Sequence, residues 1–187
     1  LHIDGDPDAA ALPNLETVAF DSWLGWYLAG ILAGEVSLTR QVGYVGAVAD
    51  DAHHAAANAF REAATGDDPE VVVDTAMVAA PGDAASGVDL ALEQLGLGAD
   101  IVAADAGPSD PAIAATAAQA GAFVIAGSEA FAAALPETVI ATVAVLRGQA
   151  LIEALRPALG TSWTPGTRRA GVADGFVELI VNQAFLD

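Results

Sequence analysis

The residues best suited to chemistry stand together at Asp50-Asp51-Ala52-His53-His54, two carboxylates and two imidazoles within five positions. A zinc or iron site needs three or four ligands converging from different directions, and on one helix it uses histidines at i and i+4. Adjacent histidines on a helix point about 100° apart, so only one of this pair could join an aspartate at a given ion. His2, the remaining histidine, is distant in sequence. The same letters also spell a helix start, where Asp50 or Asp51 accepts bonds from free N–H groups and suits the helix dipole. The stretch therefore reads as structural, with metal-dependent catalysis at His53 and His54 as the competing reading. No other catalytic signature stands beside it. There is no G-x-S-x-G elbow, no phosphate-binding P-loop, and no G-x-G-x-x-G after the first strand. No metal or cofactor is expected, and the chain is not expected to be an enzyme.

Such residues need elements to hold them, and these are legible. Short Val- and Ile-rich runs fall at 41–48, 70–78, 99–106 and 122–127. Runs of this kind form the strands of a parallel sheet covered on both faces. Between them, residues 52–65, 84–96 and 110–120 carry Ala, Leu or Phe at helical spacing, and glycine stands near each C-terminal end. Ser109-Asp110-Pro111 opens the third of these helices with a cap residue and a first-turn proline. Strand and helix alternating in this way predict an α/β fold with a doubly wound parallel sheet. Ligands of such sheets bind beyond the carboxyl ends of the strands, so the loops after residues 48, 78, 106 and 127 are the ones to inspect. Asp67-Asp68 falls at the opposite end. The two glycines of "VGYVGA" read as packing glycines within a strand. Trp23 and Trp26, three apart on one helix, read as core or as an interface between lobes, with ligand stacking as the alternative.

The flanks carry a short strand in "LETVAF", a helix in "DSWLGWYLAGILAGEV", a strand in "TVIATVAV" and a helix in "VLRGQALIEALRPAL". "GTSWTPGTRRAGVADGFVELI" reads as a loop leading to a terminal strand. The 187 residues suit one sizeable domain. Hydrophobic residues make up 54% of the chain but aromatics only 6%, so the core must be built from small aliphatic side chains. Asp and Glu number 25 against six Arg and no Lys, a formal net charge of −19. That field repels phosphate backbones and anionic membranes, which argues against a nucleic-acid partner. Without cysteine there is neither disulfide nor thiolate chemistry. No apolar run reaches the roughly 18–20 residues of a membrane span, and the acidic N-terminus is unlike a signal peptide. An exported protein would carry its targeting segment outside these residues.

Taken in order, "HIDGDP…LPNLETVAF", "YLAGILAG", "QVGYVGAV", "GADIVAADAG", "FVIAGSE" and "GVADGFVELI" resemble the basic-membrane-protein family of solute-binding lipoproteins, which includes purine-nucleoside receptors of ABC transporters. The resemblance runs along essentially the whole chain and implies a type I periplasmic-binding-protein-like fold. Such a fold has two Rossmann-like lobes joined by three crossovers, with the first lobe here largely missing. It places residues 1–36 as a remnant of the first lobe with a crossover helix, and 37–136 as the second lobe. Residues 137–158 become a first-lobe crossover segment, and 159–187 a return to the second lobe. The candidate ligand contacts that it implies are Pro81, Asp83, Asp105, Gly107, Ser128 and Glu129. Pro81 falls where the family has a stacking aromatic ring, and Ser128 where it has a sugar-binding aspartate. Val145 falls at a family lysine, and Gly25 at an acid. The expectation is an ABC-type solute-binding protein for a small polar, nucleoside-like solute with those classical contacts mostly replaced. Its implied partners are an ABC permease and a second copy in a homodimer, and its place is extracytoplasmic, periplasmic or membrane-anchored. The alternative is a degenerate lobe acting as a structural or oligomerisation module.

Overall fold

The computed structural model describes residues 1–3, 5, 12–160 and 163–185. In chain order its elements are β1 (His2–Ile3), β2 (Glu16–Phe20), α1 (Ser22–Val36), β3 (Gln41–Gly46), α2 (Asp51–Ala64), β4 (Val72–Met77), α3 (Ala84–Gly96) and β5 (Ile101–Asp105). After a 3-10 turn at Gly107–Ser109 come α4 (Asp110–Gln119), β6 (Phe123–Ala126), α5 (Glu129–Ala132), β7 (Val139–Val145), α6 (Arg147–Ala158), β8 (Gly166–Ala170) and β9 (Val177–Val181). A second 3-10 turn spans Gln183–Phe185.

The strands form two sheets. Six lie in the order β4-β3-β5-β6-β7-β9, parallel except for β9, and three in the parallel order β1-β2-β8. The winding direction of the larger sheet reverses between β3 and β5, which is where an open α/β sheet leaves its crevice. Two helical layers cover this sheet, as the sequence predicts. Val42, Tyr44, Ile101, Ala103 and Ile125 face one side, with Trp26, Ala29 and Ala33 of α1 and Phe60 of α2. Val45, Val102, Ala104 and Val124, one residue on, face Ala91 of α3 and Ile113 of α4. Because side chains alternate along a strand, Asp105 follows Ile101 and Ala103 onto the α1–α2 side.

Small residues set the spacing of the layers. A Cβ on Gly30 would lie 2.2 Å from the Phe60 carbonyl oxygen, and one on Gly34 2.4 Å from that of Ala64, so α1 and α2 touch backbone to backbone. The strand glycines do pack closely: Gly43 leaves room for the buried Gln94 side chain, and Gly46 for the Met77 sulfur. Trp26, Tyr44 and Phe60 meet edge-on or tilted with ring centroids 5.3–6.3 Å apart. Trp26 is core, whereas Trp23 of the same helix is 40% exposed.

Three expectations need correction. β4 is an edge strand and not a fully covered one, and its Val72 is half exposed. β7, placed with the first lobe by the resemblance, is a strand of the six-stranded sheet, hydrogen-bonded to β6 and β9. Its residues are buried on both faces, as an interior strand requires. Last, "GTRRA" is a strand and not a loop: β8 pairs with β2 in the smaller sheet, so 159–187 serves both sheets. Of the crossover segment, only α6 packs on the smaller sheet, where Ala150 and Ala154 meet Val18, Ala170 and Phe176.

The chain passes between the sheets three times: from β2 into α1, from β7 into α6, and from β8 into β9. Backbone bonds tie these passages together. The Asp21 N–H donates to the Ala170 carbonyl and the Leu146 N–H to that of Phe176, both at 2.9 Å. Arg169 also donates to the Asp21 carboxylate.

Candidate functional site

The opening motif resolves first. Asp50 is the N-cap of α2, accepting from the His53 N–H at 2.9 Å, and the same oxygen lies 2.7 Å from His53 Nδ1. Those bonds hold the Asp50 carboxyl below its ordinary range, the His53 backbone N–H contributing most. An ionised carboxylate only accepts, so it fixes the proton on Nδ1 and leaves Nε2 for other contacts. His54 is exposed. Among the described residues no three His, Asp or Glu side chains are placed to hold a metal ion.

His53 nonetheless borders a site. Beyond the carboxyl ends of β5, β6 and β7 lie two adjoining cavities, of about 110 and about 220 Å³. Gly127, Val143, Val145 and Arg147 line both, so the two form one trough. The inner part adds Ser22 and Trp26 from α1, His53 from α2 and Asp105 from β5. The outer part adds Ser128, Glu129 and Leu146. Gly127 is needed here: a Cβ on it would stand 2.8 Å from the Ala104 carbonyl oxygen, so only glycine lets β6 leave the sheet beside β5.

Asp105 forms the floor. The Tyr44 hydroxyl donates to its Oδ2 at 2.5 Å across the β3–β5 switch point, and the nearby Trp26 indole also favours its charged form. Burial pushes this carboxyl up to about 6, against the Tyr44 bond, the His53 charge, the Trp26 bond and the Arg147 charge, which all pull it down. Burial and the neighbouring carboxylate push the Tyr44 hydroxyl well above its ordinary range, so it remains a donor. Behind the floor, Asp110 is 2% exposed and accepts from the Ala106 N–H at 2.6 Å. Burial, aided by the charge of Asp105, pushes it up to about 8. Arg147 stands 5.8 Å over the Phe20 ring at the start of α6, a cation–π contact beside the passage between sheets.

Of the six candidate contacts, Asp105, Ser128 and Glu129 border the trough. Pro81, Asp83 and Gly107 lie outside it, on the loops toward α3 and α4. Asp83 caps α3 by accepting from the Ser86 N–H at 3.0 Å, and Gly107 supplies a left-handed turn at φ +59°. Val145 lines the trough without a charge. At Gly25 an acid would not fit, since a Cβ there would meet Val143 Cγ1 at 2.6 Å. Sequence reading missed Tyr44 and Arg147 as trough residues, held Trp26 as core with ligand stacking only as the alternative, and left His53 as structural. The signals were present: alternation sets Tyr44 and Asp105 on the face of Trp26, and Arg147 is one of six cations in the chain.

A family profile matches along the whole chain. The profile described as ABC transporter substrate-binding protein PnrA-like, Bmp, matches residues 1–187. The chain belongs to the Bmp family. No protein of curated function matches it. Solved structures share the fold of this Bmp chain at low identity. A transcriptional activator of the comK gene from Bacillus halodurans superposes with a TM-score of 0.82 at 17% identity, covering 90% of this chain and 58% of its own. An ABC transporter solute-binding protein from Conexibacter woesei gives 0.79 at 19%, covering 95% and 60%. One from Aeropyrum pernix gives 0.82 at 16%, covering 95% and 52%. The Bmp chain thus spans between half and three fifths of the length of these structures. No helix among its described residues is long and apolar enough to cross a membrane.

Proposed function

We propose that this Bmp chain supplies the solute-holding site of an ABC-type uptake system, working outside the cytoplasm and delivering a small polar solute to a permease. The observation that carries this reading is the trough: it lies at the carboxyl ends of the larger sheet, beside the three passages to the smaller one, with the Asp105 carboxylate as its floor. Asp105 accepts a hydrogen bond from the solute, while Ser128, Glu129 and Arg147 hold its outer end. Together the two cavities stand at the lower end of the roughly 300–1,000 Å³ of drug-sized sites, which suits a solute of nucleoside or monosaccharide size. The loss of charge at Val145 and of an acid at Gly25 favours a nucleoside-like solute held differently from the family's purine nucleosides.

Thermal-shift screening with purine nucleosides, monosaccharides and amino acids tests the reading. A bound solute at a hundred times its Kd stabilises the fold by about 2.7 kcal/mol, a shift of several degrees in Tm. Asp105→Ala and Arg147→Ala should weaken that solute. A screen in which none of these classes shifts Tm refutes it.

One observation favours the second reading, a lobe that works by association. α6 exposes Leu151, Ile152 and Leu155, and its C-cap Leu159 is 90% exposed. Burying such a row against a second copy would make a homodimer, the apolar side chains leaving water together. Light scattering after size exclusion distinguishes the two readings: a dimer that Leu155→Glu splits, with no solute response, would replace uptake by assembly.

A further inference from the structure

The trough has one feature that uptake alone does not explain, namely a carboxyl group placed where its protonation state decides what can bind. Five side chains surround Asp105, each from a different element. Tyr44 of β3 donates to it, and the Trp26 indole of α1 lies beside it in the inner cavity and favours its charged form. His53 of α2, held by Asp50, and Arg147 of α6 face it across the inner cavity. Asp110 of α4 stands behind it, bonded to the Ala106 N–H. Apart from Asp110, every one of these side chains favours the charged form of Asp105, so the trough side of the arrangement suits the ionised carboxylate. An ionised carboxylate can only accept from a solute. An anionic or acceptor-only group would leave that oxygen unmatched, or would force it to take up a proton in a chain of net charge −19.

We propose that the trough selects neutral or cationic solutes that donate an N–H or O–H to Asp105, and that such a solute binds by driving a proton off this carboxyl into solvent, so that acidification releases it. This rests on the solute-binding reading above and adds to it the chemical class of the solute and the sign of its pH dependence. The balance is simple: the carboxylic acid loses its proton to water, the solute keeps its own, and one hydrogen bond forms. With the carboxyl at about 6 in the empty site, only about a tenth of the molecules are competent at pH 5 and nearly all at pH 8. The apparent affinity should therefore fall about tenfold between pH 8 and pH 5.

Two measurements keep the proposal separate from the reading it rests on. The first needs no solute: the indole N–H resonance of Trp26, assigned by its loss in Trp26→Phe, should titrate with a midpoint near 6 and stop titrating in Asp105→Asn. If Asp105→Asn does not fold, Tyr44→Phe serves instead. It removes a donor to the carboxylate and should move the midpoint upward. The second is calorimetry at pH 5 and pH 8 with adenosine and glucose, neutral donors throughout that range, and with pyruvate as the anion. The expected result is about tenfold tighter binding of a neutral solute at pH 8, flat in Asp105→Asn but retained in His53→Gln. A flat indole titration overturns the proposal. So does neutral-solute binding without pH dependence, dependence that disappears in His53→Gln instead, or pyruvate binding that strengthens on acidification. If the indole titrates and neither neutral solute binds at either pH, the proton site stands, and the choice of these solutes for the trough is what fails.

Discussion

Asp110 should make this protein lose stability as pH rises from 5.5 to 8.5, and replacing it should remove most of that loss. Its carboxyl is 2% exposed, accepts from the Ala106 N–H at 2.6 Å, and stands near a second acid at Asp105. Burial lifts it to about 8 in the fold, against about 4 for a free aspartate. The sign follows from which state holds the proton. Between those two values the unfolded chain has released its proton and the folded chain has kept it, so stability falls with increasing pH. The contribution is full below the free value, declines through the interval, and is gone above about 8. At about 1.4 kcal/mol per pH unit, the span from pH 5.5 to 8 amounts to about 3 kcal/mol. Self-repulsion in so acidic a chain adds a slope of the same sign, so the informative quantity is a difference. Asp110→Asn keeps an acceptor for Ala106 and has nothing to titrate. Urea unfolding followed by far-ultraviolet circular dichroism, at pH 5.5, 7 and 8.5, should show the parent losing about 2–3 kcal/mol more than the variant, with the variant the more stable at pH 8.5. Parallel slopes would refute the assignment of a neutral Asp110, and so would a variant weaker than the parent at every pH.

Other substitutions test the framework that holds the trough. Gly30→Ala inserts a methyl 2.2 Å from the Phe60 carbonyl oxygen and should cost about 1–3 kcal/mol by urea unfolding, because backbone cannot yield as a side chain does. Phe60→Ala, which removes the ring packed against both Trp26 and Tyr44, should cost about 3–5 kcal/mol and lower Tm accordingly. Asp50→Ala removes the α2 cap and the anchor of His53. It should cost about 1 kcal/mol and leave the metal content of dialysed protein unchanged by mass spectrometry, whereas a metal-site reading requires a fall.

The larger sheet was legible because its strands are continuous apolar runs separated by capped helices, and α3 at 84–96 matches the expected span. Interior strands of a parallel sheet are apolar on both faces, however, and that is why the sequence did not reveal which sheet each strand joins. β7 reads the same whether it belongs to one lobe or the other, since its neighbours are chosen by hydrogen bonds to distant strands. β8 failed for the opposite reason. "GTRRA" carries two arginines, and strands of this kind are hidden from a search for apolar runs. Here its alternate side chains pair with partners of their own, Arg169 with Asp21 and Arg168 with the Ala150 carbonyl.

The same limit explains the site. Asp105, Ser128 and Glu129 were within reach because the ends of strands are local features. Tyr44 and Arg147 were not, and Trp26 only as an alternative to core, because each becomes a trough residue through tertiary contact. Tyr44 is two residues short of its strand's end and reaches Asp105 with its hydroxyl across the switch point. Arg147 lies in the first turn of a helix, where the dipole disfavours a cation, and it is held there by its place over the Phe20 ring from the other sheet. That contact also bears on how the trough works. Asp21 and Arg147 follow the first two passages between the sheets, and the third is bonded to both passages through Ala170 and Phe176. A rotation of one sheet against the other would therefore move Arg147 relative to Asp105 before it disturbed either core. On the proposed solute-binding reading, substitutions at these few residues should change solute affinity and the relative angle of the sheets together.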